Sequence, residues 1–228
     1  MARKVPREKS DGLRSEVSFP LNIANSVDCY SSPKKTLILF GNPRGGTTMI
    51  ANVARSMGVY LGNNLPINLE DNDFNWNSLC KNKSWDRGQR LSSIRRAIAK
   101  RNTEQDVWGW KYPRIDKYFD DIFPDVVNPM LVCVFRDAVA SSWRGVVRQQ
   151  RSPAEAIHKT LQLQANNLRM IEKSGAPALL ISYEKAIANP LQMVKMVDQF
   201  MSLGLVDEQI VECSKRVDPE LGYKASNI

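Results

Sequence analysis

A turn that contains glycines and threonines carries the clearest chemical signal in the sequence. The apolar run Thr36–Phe40 leads into Gly41-Asn42-Pro43-Arg44-Gly45-Gly46-Thr47-Thr48, and apolar residues then return at helical spacing. This order predicts a strand, a tight turn and a helix whose first N–H groups converge on one spot. Such a turn binds anions, and Arg44 with the hydroxyls of Thr47 and Thr48 adds charge and donors. The pattern predicts a phosphate-like ligand.

The glycine spacing only half matches that of nucleotide triphosphatases. Gly41 and Gly46 fit the first part of a P-loop, G-x-x-x-x-G, but Thr47 stands where a P-loop has its lysine. That lysine contacts the outer phosphates, so its replacement argues against a nucleotide kinase or NTPase. The alternative to an anion site is a purely structural turn, in which the glycines only permit tight packing of the strand and the helix. Arg44 and two hydroxyls in the same turn favour an anion site instead.

A second strand ends in a basic residue. The run Val107–Trp110 leads into Lys111-Tyr112-Pro113-Arg114, which predicts a buried strand with Lys111 at its carboxyl end. Because open α/β sheets bind their ligands at the carboxyl ends of the strands, Lys111 is expected beside the glycine turn.

A third strand, Met130–Phe135, is almost entirely apolar and ends at Arg136-Asp137 before a helix. Arginine suits a phosphate because its planar fork donates paired hydrogen bonds. The alternative for Arg136 is a surface ion pair with Asp137 or another acid.

The composition bounds the class of protein. A chain of 228 residues with 43% hydrophobic residues can bury one sizeable core, and we expect a loosely ordered polar leader at 1–32 followed by one domain at 33–228. The formal net charge of +8 indicates an anionic partner: nucleic acid, a membrane surface, or an anionic cofactor or substrate. Four scattered cysteines and the lack of a long apolar run predict a reduced, cytoplasmic protein without a membrane span.

Strands alternate with helices along the chain, which predicts an α/β fold with three layers: a mostly parallel central sheet flanked by helices. A further buried strand, Ala178–Ser182, ends at Tyr183-Glu184. In the helix predicted at 90–101, the basic residues Arg95, Arg96, Lys100 and Arg101 are expected to form an outer face. The helix that Ser152 and Pro153 open is expected to bury the stripe Ile157, Leu161, Ala165, Leu168 and Ile171.

Several of these segments resemble those of sulfotransferases that use 3′-phosphoadenosine 5′-phosphosulfate (PAPS). Residues 43–48 look like the P-loop-like phosphosulfate-binding loop of that family, P-[KR]-[SG]-G-T-[TS]. Residues 108–114 are similar to the string W-G-x-K-x-P-R of bacterial members, although Tyr112 replaces a common Asp. The strand that ends at Arg136 resembles the family's 3′-phosphate site, and residues 181–190 look like its Y-E-D-L…P segment. The resemblance extends from Thr36 to Phe200.

The resemblance implies an enzyme that transfers a sulfuryl group from PAPS to a hydroxyl or amine of an acceptor, a glycan or other small metabolite. The residues that it assigns to the 5′-phosphosulfate are Arg44, Gly45, Gly46, Thr47 and Thr48. It places Lys111 near the transferred group or the nucleotide, Arg136 with Ser141 or Ser142 at the 3′-phosphate, and Tyr183 near the nucleotide. No metal is expected.

A general base should take the proton of the acceptor. The single histidine, His158, lies on a long predicted helix and is not assigned this role. The candidates are Glu70, Asp71 and Asp73, with Lys111 as a further catalytic residue. These acids lie in the irregular segment 63–87, which is either a solvated surface loop or a wall on the acceptor side.

An alternative from another class is a basic nucleic-acid-binding module. It predicts clustered basic residues interleaved with exposed aromatic residues, whereas the tryptophans here fall mostly within apolar or helical patterns. We therefore expect no nucleic acid partner. The acceptor and the oligomeric state stay open.

Overall fold

The computed structural model describes residues 21–23 and 32–218. Within these ranges one five-stranded sheet has the order β1-β5-β4-β2-β3. The strands are β1 Leu21–Ile23, β2 Lys35–Gly41, β3 Val107–Lys111, β4 Pro129–Phe135 and β5 Ala178–Ser182. Strands β2 to β5 run parallel, and β1 pairs with β5 antiparallel at one edge.

Helices connect the parallel strands and cover both faces of the sheet. They are α1 Thr47–Ser56, α2 Trp76–Leu79, α3 Arg87–Glu104, α4 Phe119–Ile122, α5 Ala138–Gln149, α6 Pro153–Ser174, α7 Tyr183–Ala188, α8 Pro190–Met201 and α9 Asp207–Ser214. Strand β2 lies at the centre and is buried along its whole length, as expected for a parallel strand covered on both faces.

Alternate side chains of β2 enter two separate cores. Leu37 and Leu39 pack with residues of α1, α8 and α9, whereas Ile38 and Phe40 pack with residues of α3 and α4. This division follows from the two-residue period of a strand. The predicted three-layer α/β fold with a mostly parallel sheet is therefore confirmed.

Strand β1 lies within the segment that the sequence predicts to be a polar leader, 1–32. Residues Leu21–Ile23 of that segment pair with Ala178–Leu180 and add an edge to the sheet. The apolar signal of this strand is short, so the sequence did not reveal it. Residues 1–20 and 24–31 of the predicted leader, like the tail at 219–228, lie outside the described residues. In the part that is described, no helix has the length and apolar character needed to cross a membrane.

In helix α3 the predicted buried residues are confirmed, and one of the predicted exposed residues is wrong. It begins at Arg87, earlier than predicted, because Asp86 and Gln89 form a capping box at its start. Leu91, Ile94 and Ile98 are buried as expected, and Arg95, Arg96 and Lys100 are exposed. Arg101 is only 6% exposed, so its assignment to the basic outer face is wrong. It follows Ile98 by one helical turn and therefore lies on the same inward face.

Helix α6 buries a different stripe from the predicted one. Its buried residues are Ala156, Thr160, Asn167 and Ile171, whereas Leu161 is 48% exposed. The predicted stripe is thus wrong at Leu161. The Asn167 side chain bonds to Asn42 in the turn after β2, as described below, whereas the buried Thr160 hydroxyl donates to the carbonyl of Ala156 within the helix at 3.0 Å.

Candidate functional site

Residues 42–46 form the turn between β2 and α1. The Gly45 amide donates to the Asn42 carbonyl at 2.8 Å, which closes the turn. Arg44 and Gly46 have left-handed backbones with φ of 71° and 89°. Gly46 is the N-cap of α1 and contributes no capping side chain, and the first turn of α1 contains no acid. The N–H groups and the positive end of the helix dipole are thus available to an anion.

Asn42 fastens this turn to α6. Its Nδ2 donates to the carbonyl of Thr160 at 2.9 Å, and its Oδ1 accepts from Nδ2 of Asn167 at 3.5 Å. All three residues are buried, so these bonds form away from solvent. Sequence analysis missed this role. The available signal was the polar Asn167 on the buried side of the helix, since the Thr160 carbonyl that accepts from Asn42 belongs to the backbone and any residue type would supply it.

Tyr183 forms a wall beside the turn. It opens α7, is 8% exposed, and packs so closely on Gly46 that a Cβ atom at Gly46 would overlap its ring. The guanidinium of Arg136 lies over the same ring at 4.4 Å from its centroid, which is a cation–π contact. Burial raises the pKa of the Tyr183 hydroxyl, although the charge of Arg136 opposes the shift. The hydroxyl is therefore neutral at physiological pH.

Two glycines provide a matched test of this packing. Gly46 and Gly58 have nearly equal φ values, 89° and 92°, but a Cβ atom at Gly58 would meet nothing within 4 Å. Both alanine variants suffer backbone strain, and only Gly46→Ala also clashes with Tyr183. We expect Gly46→Ala to cost about 1–3 kcal/mol more unfolding free energy than Gly58→Ala. Urea unfolding measures both, and equal costs would show that Tyr183 does not press on the turn.

Arg136 is held in place from several sides. It directly follows Phe135, the last residue of β4, and its Nη1 donates to the carbonyl of Arg44 at 3.0 Å. Its own carbonyl accepts from Nε2 of Gln164 at 2.7 Å, and the following amide donates to Oε1 of Glu184 at 2.9 Å. The Nε atom of Arg136 is buried and has no hydrogen-bond partner among the described residues. A preorganised guanidinium with a spare buried donor is suited to an anion.

The neighbours of Arg136 bond elsewhere. Asp137 caps α5, since its Oδ1 accepts from the amide of Ala140 at 2.8 Å, so this oxygen serves the helix rather than the alternative of an ion pair with Arg136. The Ser141 hydroxyl donates to the carbonyl of Asp137 at 2.8 Å, and the Ser142 hydroxyl donates to the carbonyl of Val139 at 2.9 Å. Both serines are buried and bonded within their own helix. Their predicted contact with a phosphate stays a prediction.

Lys111 links strand β3 to the irregular segment. Its side chain is 2% exposed, and its Nζ donates to Oε1 of Glu70 at 3.0 Å and to the carbonyl of Asn68 at 2.9 Å. The Thr48 hydroxyl donates to the same carbonyl at 3.4 Å. The structure thus brings together the predicted anion turn, Lys111 and one candidate base.

Burial and the neighbouring carboxylate act on the pKa of Lys111 in opposite directions. Burial lowers the pKa of Lys111, and the Glu70 carboxylate opposes that shift by charge and by hydrogen bonding. Glu70 is 17% exposed, and its second oxygen accepts from Nδ2 of Asn75 at 3.1 Å. Both carboxylate oxygens therefore have defined partners while one edge stays open to solvent.

The other two acids lie apart from Lys111. Asp71 is buried and accepts through Oδ2 from Nη2 of Arg101, and the exposed Asp73 lies 3.6 Å from the same guanidinium. The structure therefore separates the three candidate bases, and Glu70 is the one that contacts Lys111. Most residues of segment 63–87 are exposed, as a solvated loop predicts, but Leu69, Phe74 and Trp76 are buried and attach the segment to the core.

These groups lie together at the carboxyl ends of neighbouring parallel strands. The turn, Lys111 and Arg136 follow β2, β3 and β4, which are neighbours in the sheet. The carboxyl ends of parallel strands are where such folds bind ligands. The edge combines a helix N-terminus, two cationic side chains and a carboxylate. His158 is exposed on α6 and has no part in these contacts.

Comparison with known proteins gave matches at the level of structure. No protein-family model and no curated protein sequence matches the chain. The sulfotransferase domain of an olefin synthase from Synechococcus PCC 7002 superposes with a TM-score of 0.53 and 17% identity, over 86% of this chain and 89% of that one. Retinol dehydratase, solved with androsterone and the inactive cofactor PAP, matches with a TM-score of 0.47 and 14% identity, over 86% of this chain and 67% of its own.

Proposed function

We propose that this chain, which has the sulfotransferase fold, transfers a sulfuryl group from PAPS to a hydroxyl or amine of an acceptor. The observation that carries the proposal is the convergence of three basic or anion-binding elements at one sheet edge. Arg136 donates to the Arg44 carbonyl, and Thr48 and Lys111 donate to one shared carbonyl. A nucleotide with phosphates at both ends requires two linked anion sites of this kind.

The turn supplies the site for the 5′-phosphosulfate. Backbone N–H groups of Gly45 and Gly46, with the side chains of Arg44, Thr47 and Thr48, would hold its oxygens. Arg136, with its spare Nε donor, would bind the 3′-phosphate, and Ser141 or Ser142 would join it after rotation of a hydroxyl. Tyr183 would support both halves from the side, since it contacts Gly46 and Arg136.

The chemistry of the step assigns roles to Lys111 and Glu70. The acceptor oxygen or nitrogen forms a bond to sulfur while the bond from sulfur to the 5′-phosphate oxygen breaks, which releases 3′,5′-adenosine bisphosphate (PAP). Lys111 would place its charge against the oxygens that gain negative charge. Glu70 would accept the proton of the acceptor, because its carboxylate lies 3.0 Å from Lys111 and next to the turn. A glycan or other small metabolite is the proposed acceptor class.

Metal removal tests the proposed reaction against phosphoryl transfer. A sulfuryl group carries less negative charge than a phosphoryl group, and Thr47 stands where a P-loop has its lysine. We expect full activity with ³⁵S-labelled PAPS in excess EDTA. Complete loss of turnover that Mg²⁺ restores would favour a nucleotide kinase.

Ligand-dependent stability distinguishes the proposed function from its alternatives. PAP without metal is expected to raise the melting temperature, since a ligand that binds only the folded state stabilises it. ATP with Mg²⁺ would stabilise a kinase or NTPase, and an oligonucleotide would stabilise a nucleic-acid-binding module. Stabilisation by ATP with Mg²⁺ but not by PAP would overturn the proposal.

A further inference from the structure

Arg101 reaches from α3 into the core beside the proposed base. Its guanidinium pairs with Asp71 through Nη2 and Oδ2, and it lies over the rings of Phe74 at 4.8 Å, Tyr60 at 5.5 Å and Trp108 at 5.6 Å. Its Nη1 also lies 3.5 Å from the carbonyl of Gly109 in β3. One side chain thus joins α3, β3 and the irregular segment.

Asp71 connects Arg101 to the irregular segment, because it also bonds to residues that follow it there. Its Oδ1 accepts from the amide of Asp73 at 3.0 Å, and its carbonyl accepts from the amide of Phe74 at 3.0 Å. A Cβ atom at Gly62 would overlap the Asp71 carboxylate, so the carboxylate fills the space that this glycine leaves. We call the contact of Arg101 with Asp71 the Arg101–Asp71 clasp.

The residues before Asp71 adopt a strained conformation. Leu69 has a φ of 56°, in the left-handed region that residues other than glycine rarely adopt. Its neighbours Asn68 and Glu70 direct a carbonyl and a carboxylate onto the same Lys111 amine. Strained backbone of this kind persists only where the surrounding structure holds it. The buried Leu69 side chain provides part of that hold, and the clasp follows two residues later.

We infer that Arg101 is a positioning residue: through Asp71 it holds residues 68–70 so that the Glu70 carboxylate and the Asn68 carbonyl stay on Lys111. The inference rests on the proposed function, in which Glu70 is the base. Arg101 touches neither donor nor acceptor in this scheme. Its effect is to keep the base and Lys111 in one geometry.

Chemical labelling of lysines tests the clasp without an acceptor. Lys111 is buried under residues 68–70, whereas Lys35 is buried in another place, where its Nζ donates to the carbonyl of Met201 at 2.7 Å. Acetic anhydride modifies exposed amines, and mass spectrometry quantifies each site. Loosening of residues 68–70 alone would expose Lys111, and loosening of the whole fold would expose both lysines.

Arg101→Met removes the clasp, and Asp71→Asn weakens it because the amide keeps an acceptor oxygen but loses the negative charge. We expect either variant to raise the labelling rate of Lys111 by about tenfold or more while the rate at Lys35 stays unchanged. A variant with Arg101→Met and Asp71→Leu together leaves no buried charge alone and serves if a single variant fails to fold. Arg95→Met is the matched control, because Arg95 lies on the same helix and pairs at the surface with Asp125 at 2.9 Å.

The same variants separate this inference from the proposed function. PAP affinity by calorimetry should stay as in the wild type, while kcat falls by about ten- to a hundredfold and the KM for PAPS is unchanged. A wild type that does not bind PAP would refute the proposed function and leave the labelling result standing. Unchanged labelling of Lys111 in the variants, or equal gains at Lys111 and Lys35, would overturn the inference about Arg101.

Discussion

Glu70→Gln is expected to lower kcat by about a hundredfold or more while PAP affinity stays intact, because a positioned base contributes about a hundred- to ten-thousandfold. The amide keeps the shape of the side chain and its place beside Lys111 but cannot take the proton of the acceptor. The measurement uses ³⁵S-labelled PAPS with the best acceptor from a panel of alcohols, phenols and amines. Calorimetry with PAP gives the affinity.

The acidity of the acceptor sharpens this test. A phenol that is already ionised at the assay pH needs no base, so the defect of Glu70→Gln should shrink for such an acceptor. The matched controls are Asp73→Asn and His158→Ala, which should stay within severalfold of the wild type because both side chains are exposed and apart from Lys111. Full activity of Glu70→Gln together with a dead but folded His158→Ala would refute the carboxylate base.

Arg136→Ala is expected to erase a preference of the protein for PAP over AMP. Loss of a charged hydrogen-bonding contact costs about 1.5–3 kcal/mol, which is about ten- to a hundredfold in affinity for PAP. AMP lacks the 3′-phosphate, so its weaker binding should change little. Calorimetry without metal measures both nucleotides on both proteins.

The second role of Arg136 requires its own control. Because Arg136 also donates to the Arg44 carbonyl, its loss can loosen the turn, and AMP affinity would then fall as far as PAP affinity. Arg136→Lys keeps the charge without the planar fork and should retain only part of the preference. Equal binding of PAP and AMP to the wild type would contradict the assignment of the 3′-phosphate to Arg136.

The strand-end groups could be predicted because their signals are local. An apolar run followed by a glycine turn or a basic residue identifies the end of a strand, as at Gly41, Lys111 and Arg136. Parallel strands then bring their ends to one edge, whatever their order in the sheet. The fold class and the neighbourhood of these groups thus follow from short stretches of sequence.

The choice among the acids could not be predicted, because it depends on contacts between distant segments. Glu70 and Asp71 are adjacent in sequence, yet one meets Lys111 and the other meets Arg101. The backbone at Leu69, just before them, is left-handed, which its residue type does not predict. Arg101 itself carried a usable signal, since it lies one turn after Ile98 on the apolar face of α3. Its charge alone suggested the opposite face.

The bonds of Asn42 and the pairing of β1 show a second limit. An asparagine in a turn is ordinarily explained by local turn chemistry, whereas Asn42 bonds to Thr160, far along the chain. The strand Leu21–Ile23 gains its order from β5 rather than from its own short apolar pattern. Both features depend on tertiary partners that local patterns do not encode.

The central place of β2 has a consequence for how the molecule is made. Leu37 of β2 lies opposite Gly109 on one side and Met130 on the other, so neither pairing can form until long stretches of chain have been synthesised. Closing such loops costs entropy before any contact compensates for it. A growing chain therefore holds the complete turn long before it holds the strands that flank it. Lys111 and Arg136, which lie at the ends of the flanking strands, therefore join the turn only in the later part of synthesis.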